Sequence, residues 1–212
     1  MDLFAPVQER LKPCLIPDTQ YYKEVLPKKS ICLHHTAGGD GNTSIKGWES
    51  DIVRVATCVV IQRDGTILQA FGSQYWAYSL GLNQPNYKQI EQQTIAIEIS
   101  NYGYLQKRGS EFYNAYGSKI KPEDVCDLGY KWRGYQYFEN YTDEQIESVK
   151  RLLLYWADKY KIDLTFRPAI FDIMQRAIIG EGGVYTHASY RADKTDVYPH
   201  PKLIEMLKSI SK

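Results

Sequence analysis

Two segments of the chain combine residue types that can bind a metal ion. His34 ends an apolar run that opens into a glycine turn, which is typical of a buried strand followed by a loop. Near the other end of the chain, His187 is followed after a short loop by Asp196. Two histidines and one carboxylate can give zinc three protein ligands and leave the fourth position for water, as in catalytic zinc sites. The sequence therefore predicts zinc ligands at His34, His187 and Asp196.

Other residues stay open as alternatives to these ligands. Cys32 shares the strand face of His34 and could replace Asp196 as the third ligand. His35 points to the opposite face, so we interpret it as structural, although it could bind the metal in place of His34. His200 lies between two prolines, and we predict that it is a surface residue.

A strictly alternating segment at residues 94–100 offers a proton acceptor. Its isoleucines share one face, and its other face carries small and polar residues around Glu98. If this strand joins the sheet that carries His34, Glu98 faces the metal and can pass a proton from water to a leaving nitrogen. Lys194, just before Asp196, can stabilise negative charge on a carbonyl oxygen. We therefore predict Glu98 and Lys194 as catalytic residues.

Periodicity, capping residues and turn signals indicate the elements that position these side chains. Strands are predicted at residues 30–36, 57–62, 67–71, 94–100 and 184–187, with a hairpin turn at 63–66. Helices are predicted at residues 42–55, 142–161 and 168–179, and from Pro201 onward. This pattern predicts an α/β fold, with a mixed, twisted central sheet of about five or six strands flanked by helices on both faces.

The length of 212 residues fits a single domain, which we place at 1–212. Residues 1–29 are interpreted as a proline-containing lead-in. Residues 101–141 are rich in tyrosine and glycine, and we interpret them as an ordered insertion or lid, because they are too apolar for a solvated linker. Whether these tyrosines pack locally or stack on a glycan stays open.

The composition of the chain limits its partners. The net charge of +1 gives no argument for binding nucleic acid. No apolar run reaches the roughly 18 residues that a membrane-spanning helix needs, so we expect no stable membrane insertion. No secretory signal is visible, so we expect a cytoplasmic location in the producing cell. The four cysteines form no CxxC pair and are expected to be free thiols.

The motifs together resemble the zinc-dependent N-acetylmuramoyl-L-alanine amidases of the amidase-2 group, whose fold is shared with peptidoglycan recognition proteins and phage lysozyme-type amidases. The resemblance covers residues 30–200 and rests on four segments in the family's order. These are His34-His35-Thr36-Ala37, the Arg-Asp-Gly turn at 63–65, Ile95-Ala96-Ile97-Glu98, and His187 followed by Lys194-Thr195-Asp196.

The resemblance implies a zinc enzyme that cleaves the amide between the lactyl group of N-acetylmuramic acid and L-alanine. The substrate would be peptidoglycan or a muropeptide, gripped in part by aromatic residues near 76–78 and 102–141. We expect a monomer of the phage endolysin or cell-wall lytic type, which acts on the wall after release. The alternatives are a cytoplasmic amidase that recycles soluble muropeptides, a binding module without activity, and a structural component of a phage tail.

The chain departs from the family pattern at three places. Ser79 stands where the family often has a histidine, and Thr57-Cys58 stands where phage members often have Tyr-His. Neither position is a metal ligand in the family, so these departures concern substrate contacts. Asp196-Val197-Tyr198-Pro199 replaces the usual Asp-Pro-Gly, which predicts a loop of different shape.

Overall fold

A computed structural model describes residues 5–50, 52–83 and 85–211. Residues 1–4 of the predicted lead-in and residue 51 of the predicted helix at 42–55 lie outside the described residues. The strands are β1 Leu11–Pro13, β2 Ser30–His35, β3 Val59–Ile61, β4 Ile67–Gln69, β5 Thr94–Ile99, β6 Tyr104–Arg108, β7 Glu111–Tyr113, β8 Lys119–Ile120, β9 Val125–Trp132, β10 Tyr135–Glu139 and β11 Gly183–Thr186. The helices are α1 Ala5–Gln8, α2 Gly41–Trp48, α3 Tyr87–Gln93, α4 Asp143–Tyr160, α5 Gln175–Ile178, α6 His187–Tyr190 and α7 Pro201–Ser209.

The central sheet has six strands in the described part of the chain, in the order β1-β4-β3-β5-β2-β11. Strands β3, β5, β2 and β11 run parallel to one another, and the hairpin of β3 and β4 adds an antiparallel pair. Every residue of β2 is buried, as expected for a parallel strand that is covered on both faces. The prediction of a mixed α/β fold is confirmed.

The insertion forms a second sheet of five antiparallel strands, in the order β8-β7-β6-β10-β9. Its inner face packs on the core, where Phe138 stacks on Tyr198 with ring centres 4.3 Å apart. Tyr198 in turn stacks on Tyr141 at 5.0 Å. The insertion is thus continuous with the hydrophobic core that covers the central sheet.

Helix α4 begins at the predicted capping box. The Thr142 hydroxyl accepts the backbone N–H of Gln145 at 3.1 Å, and the Gln145 side chain accepts the backbone N–H of Thr142 at 3.1 Å. The Gln145 amide also donates to the backbone carbonyl of Ser100 at 2.8 Å. The start of the helix is therefore fixed to the segment that follows β5, the strand of Glu98.

The helix predicted at 42–55 is too long. Helix α2 ends at Trp48, and it is capped by Asp40, whose side chain accepts the backbone N–H of Asn42 at 2.9 Å. Beyond it, the backbone of Arg54 accepts the N–H of Tyr78 at 3.0 Å and Ala56 donates to the Tyr78 carbonyl at 3.0 Å. Pairing with a distant segment therefore replaces the helix there.

The helix predicted at 168–179 is also wrong. A 3-10 turn covers Pro168–Phe171 and the short helix α5 follows it. Between them, the Asp172 side chain accepts the N–H of Ile173 at 2.8 Å, and the N–H of Met174 donates to the Ser189 carbonyl at 3.0 Å. These bonds take donors that a continuous helix would use.

Smaller corrections concern the two ends of the chain. The lead-in contributes β1, which pairs with β4. Strand β11 stops at Thr186, so His187 begins α6 rather than ending a strand.

His200 is buried rather than at the surface, with 3% of its area exposed. Its Nδ1 accepts the N–H of Leu203 at 3.3 Å as the cap of α7, and its Nε2 lies 2.6 Å from the Asn140 side-chain oxygen. All four cysteines are free. No helix in the described residues is long and apolar enough to cross a membrane.

Candidate active site

Three parallel strands bring the predicted functional residues to one edge of the sheet. Strand β2 lies between β5 and β11, and the register of β2 with β5 places His34 directly opposite Glu98. Strand β11 ends at Thr186, so His187 leaves the sheet at the same edge. The carboxyl ends of parallel strands are the usual position of ligand sites in α/β sheets.

Three side-chain atoms converge at this edge. The Nδ1 atoms of His34 and His187 are 3.0 Å apart, and His187 Nδ1 lies 2.9 Å from Asp196 Oδ2. The third side of the triangle, from His34 Nδ1 to Asp196 Oδ2, measures 3.3 Å. Tetrahedral zinc with bonds of roughly 2.0–2.1 Å holds its ligand atoms about 3.3 Å apart. In the described part of the chain, the ligand atoms of His34, His187 and Asp196 lie close enough together to bind one metal ion.

The hydrogen bonds of His187 support a metal at this position. Its Nε2 lies 3.0 Å from the Leu80 carbonyl, which can only accept, so Nε2 carries a proton and Nδ1 is the ring nitrogen left to bind a metal. In the tautomer with its single proton on Nε2, the Nδ1 lone pair faces the Asp196 carboxylate at 2.9 Å, and both groups are acceptors. A cation between them removes that repulsion, and a neutral histidine oriented by a carbonyl is the usual form of a zinc ligand.

The protonation of the other two residues also suits metal binding. Burial, together with the neighbouring His187, lowers the pKa of His34 to about 4, so this ring is neutral at pH 7. Burial alone would raise the pKa of Asp196, but hydrogen bonds and positive charge from His187 and His34 hold that pKa well below the usual range. These interactions need a proton on the facing ring nitrogen, and a bound cation would take the place of that proton. A neutral imidazole and an ionised carboxylate are the ligand forms that zinc requires.

Glu98 has the environment of a proton acceptor. Burial raises the pKa of its carboxyl well above the usual range, and the negative charge of Asp196 adds to that increase. Its Oε2 atom is buried and has no hydrogen-bond partner among the described residues. A carboxylate with a raised pKa and an unused oxygen is suited to take up a proton during a reaction.

Lys194 lies near the same group of residues. Its positive charge lowers the pKa of Glu98 against the larger effect of burial, and it lowers the pKa of His34 in the same direction as burial does. Within the described ranges, its ammonium group forms no ion pair. An ammonium group that is not neutralised by a neighbour can interact with negative charge on a substrate.

The structure places the alternative ligands elsewhere. Cys32 is fully buried, and its thiol lies near the carbonyl of Leu33 at 3.8 Å, with burial raising its pKa well above the usual range. His35 Nδ1 lies 2.9 Å from the Tyr141 hydroxyl on the other side of the strand. Neither residue belongs to the triangle of ligand atoms.

The aromatic residues expected to grip substrate differ in exposure. Trp76 is only 2% exposed and stacks on Tyr22 with ring centres 4.1 Å apart, so its predicted contact with substrate is wrong. Tyr78 meets the Trp76 ring edge-on at 5.4 Å and stays partly exposed. Trp76 therefore supports the loop that carries Tyr78 and Leu80.

A buried carboxylate that the sequence reasoning missed holds that loop. Glu91 of α3 is 1% exposed, and its oxygens accept the backbone N–H groups of Ser79, Leu80 and Gly81 at 2.9, 3.0 and 3.1 Å. Burial raises the pKa of Glu91, and these backbone hydrogen bonds lower it in part. Because the Leu80 carbonyl accepts the Nε2 proton of His187, Glu91 fixes the group that orients a candidate ligand. The only signal in the sequence was Ser79, whose hydroxyl also bonds to Glu91 at 3.2 Å.

The model of the amidase-2 family, described as N-acetylmuramoyl-L-alanine amidase, matches residues 24–201. The chain belongs to this family. The match includes all five predicted site residues and the whole of the insertion. Members of the family are enzymes that hydrolyse the amide between N-acetylmuramic acid and L-alanine in peptidoglycan, and this amidase is one of them.

Solved structures with the same fold are distant in sequence. PlyL aligns with a TM-score of 0.54 at 13% identity, over 95% of this chain and 97% of its own. The hydrolase AmiA of Staphylococcus aureus, solved with its ligand, aligns with a TM-score of 0.54 at 12% identity, over 98% and 88%. AmpD aligns with a TM-score of 0.51 at 14% identity, over 96% and 95%. No curated protein matches the amidase significantly.

Proposed function

We propose that the chain is a zinc-dependent N-acetylmuramoyl-L-alanine amidase, in which His34, His187 and Asp196 hold the ion. The convergence of their three ligand atoms within 3.3 Å of one another carries this proposal. When bound, zinc supplies Lewis acidity at the amide carbonyl and lowers the pKa of water.

Glu98 and Lys194 account for the proton transfer and for the negative charge that develops during the reaction. The carboxylate of Glu98 accepts a proton from the attacking water and delivers it to the nitrogen of L-alanine as the amide bond breaks. The ammonium group of Lys194 stabilises the negative charge that develops on the lactyl carbonyl oxygen. Because these two residues lie beside the ligand atoms, the arrangement favours catalysis over a purely binding role.

The bond that is cut distinguishes this chemistry from that of a glycosidase. A typical glycosidase needs two carboxyl groups about 5–10 Å apart on either side of the sugar linkage. We expect a digest of peptidoglycan to contain new L-alanine amino termini and no new reducing ends. Mass spectrometry with assays of both end groups tests this expectation. New reducing ends without new amino termini would contradict the proposal.

The form of the substrate is part of the same proposal. We propose action on the cell wall after release from the cytoplasm of the producing cell, as a monomer without stable membrane insertion. Digestion of intact sacculi, compared with soluble muropeptides, separates a lytic amidase from a recycling amidase. Activity on soluble fragments alone would favour recycling, and light scattering of the purified protein reports the number of chains.

A further inference from the structure

The tight turn between β9 and β10 carries an arginine in an unusual backbone conformation. Arg133 and Gly134 have φ angles of 47° and 91°, and two positive φ angles are the mark of a type I′ hairpin turn. Asparagine, aspartate and glycine adopt this conformation easily, whereas arginine adopts it at a cost. Arginine at this position therefore suggests a role for its side chain.

The Arg133 guanidinium binds the loop that leads to Asp196. Its Nη1 donates to the backbone carbonyls of Arg191 at 2.9 Å, Ala192 at 2.6 Å and Lys194 at 2.7 Å. Its Nη2 donates to the carbonyl of Ala188 at 3.1 Å and to the Asp172 carboxylate at 3.2 Å. The Arg133 side chain is only 13% exposed, and its hydrogen bonds to Arg191, Lys194 and Ala188 are partly buried, whereas the Asp172 carboxylate is 84% exposed.

This loop and the end of α6 before it, residues 188–194 together, join a candidate metal ligand to the rest of the site. This segment starts directly after His187 and ends at Lys194, two residues before Asp196. Within it, the N–H of Arg191 donates to the His187 carbonyl at 3.1 Å and the N–H of Lys194 donates to the Arg191 carbonyl at 3.4 Å. At its start, the N–H of Ala188 donates to the Asp196 carbonyl at 2.9 Å, and the Ser189 hydroxyl donates to the Ile170 carbonyl at 2.5 Å. One planar guanidinium contacts four of its carbonyls, and three of these, at Arg191, Ala192 and Lys194, lie in the part after α6 that leads to Asp196. Arg133 therefore ties this last part of the segment to the insertion.

The insertion holds Arg133 in place by a second contact. The neighbouring Trp132 donates its indole N–H to the Phe171 carbonyl at 3.0 Å, and the guanidinium carbon of Arg133 lies 5.4 Å from the Trp132 ring centre. The tip of the β9–β10 hairpin is thus anchored to the core beside the loop.

We infer that Arg133 is a positioning residue, through which the insertion fixes Lys194 and Asp196 for metal binding and catalysis. This inference rests on the proposed function, which assigns those two residues their roles. It makes the insertion a support for the active site rather than a lid. Arg133 acts through the backbone of the loop and touches no ligand atom.

The test uses Arg133→Asn in the full chain, because asparagine fits the turn and removes only the guanidinium. Arg133→Lys keeps the charge but replaces the planar donors with one flexible ammonium group. Arg108→Ala is the matched control, since Arg108 is exposed in the same sheet and, among the residues that the structure describes, its side chain contacts Gln106 at 3.0 Å and the Tyr113 ring. For each protein, zinc affinity is measured by competition with a chromophoric chelator, and kcat and KM are measured on a soluble muropeptide.

We expect Arg133→Asn to weaken zinc binding by roughly tenfold or more, the usual effect of losing a group that orients metal ligands. We also expect kcat to fall by a similar factor with KM nearly unchanged, because the loop supports chemistry rather than substrate binding. Arg133→Lys should show losses of the same kind, and Arg108→Ala should match the parent. Thermal unfolding in chelator should leave the metal-free Arg133→Asn protein close to the parent.

Parental zinc affinity and kcat in Arg133→Asn would overturn the inference. Equal losses of zinc affinity and kcat in Arg108→Ala would also overturn it. The same holds if both Arg133 variants lose zinc affinity and kcat because their metal-free proteins are unfolded. A parent protein that neither binds zinc nor releases L-alanine termini would instead reject the proposed function, and the inference with it.

Discussion

The central sheet and the insertion sheet contribute differently to the active site. The parallel strands β5 and β2 carry Glu98 and His34 in register, and β11 leads directly to His187. The antiparallel sheet of the insertion offers Arg133, which binds four backbone carbonyls and the Asp172 carboxylate. Glu98, His34 and His187 thus come from the edge of the central sheet, whereas the segment that carries Lys194 and Asp196 is bound by a residue of the insertion.

The largest effect, on kcat, is expected when Glu98 at the edge of the central sheet is changed. We expect Glu98→Gln to lower kcat by about 10²-fold to 10⁴-fold, because it removes the group that transfers the proton. Zinc content should stay unchanged, since Glu98 lies outside the ligand triangle. Glu123→Gln, at an exposed acid of the insertion, serves as the control. Activity of Glu98→Gln within a few-fold of the parent would place the proton acceptor elsewhere.

A second prediction concerns the attachment of the insertion to the core through His200. Burial, aided by the charge of Lys202, lowers the pKa of His200 to about 4 from an ordinary value of 6.5. The folded protein therefore binds this proton less readily than the unfolded chain does. The stability that neutral His200 contributes is complete above pH 6.5 and is lost as the pH falls towards 4. The loss amounts to about 3 kcal/mol.

Urea unfolding of metal-free protein at pH 7.5 and at pH 4 measures that loss. His200→Asn is the comparison, because asparagine is also a good helix cap and does not titrate in this range. The free energy of unfolding of the parent should fall further between the two pH values than that of the variant. Equal losses in both proteins would show that His200 does not limit stability in acid.

A smaller effect, on zinc affinity, is expected when Glu91 is changed, because Glu91 holds the loop whose Leu80 carbonyl orients His187. Glu91→Ala removes the acceptor for three backbone N–H groups and so loosens the Leu80 carbonyl that orients His187. We expect zinc affinity to fall by roughly 10-fold to 100-fold, as for other groups that orient metal ligands. Gln89→Ala, at an exposed position of the same helix, should bind zinc like the parent. Unchanged affinity in Glu91→Ala would show that the loop holds its shape without Glu91.

The sequence predicted the strands of the sheet edge well because the information there is local. Alternation placed His34 and Glu98 on identifiable strand faces, and parallel pairing then brought the two together. Glu91 and Arg133 could not be found in this way. Each binds backbone atoms of a distant segment. Because every residue has the same backbone groups, such a contact requires no particular residue type in the segment that it binds. The same reason explains the helix wrongly predicted at 168–179, where a bond to the distant carbonyl of Ser189 interrupts the helix.

The zinc content of purified variants tests the central claim most directly. We expect about one zinc per chain in the parent and in Cys32→Ser, because Cys32 lies outside the ligand triangle. His34→Ala, His187→Ala and Asp196→Ala should each lose most of the metal. Stoichiometric zinc in both histidine variants would contradict the assignment, as would zinc that is lost from Cys32→Ser but kept by Asp196→Ala.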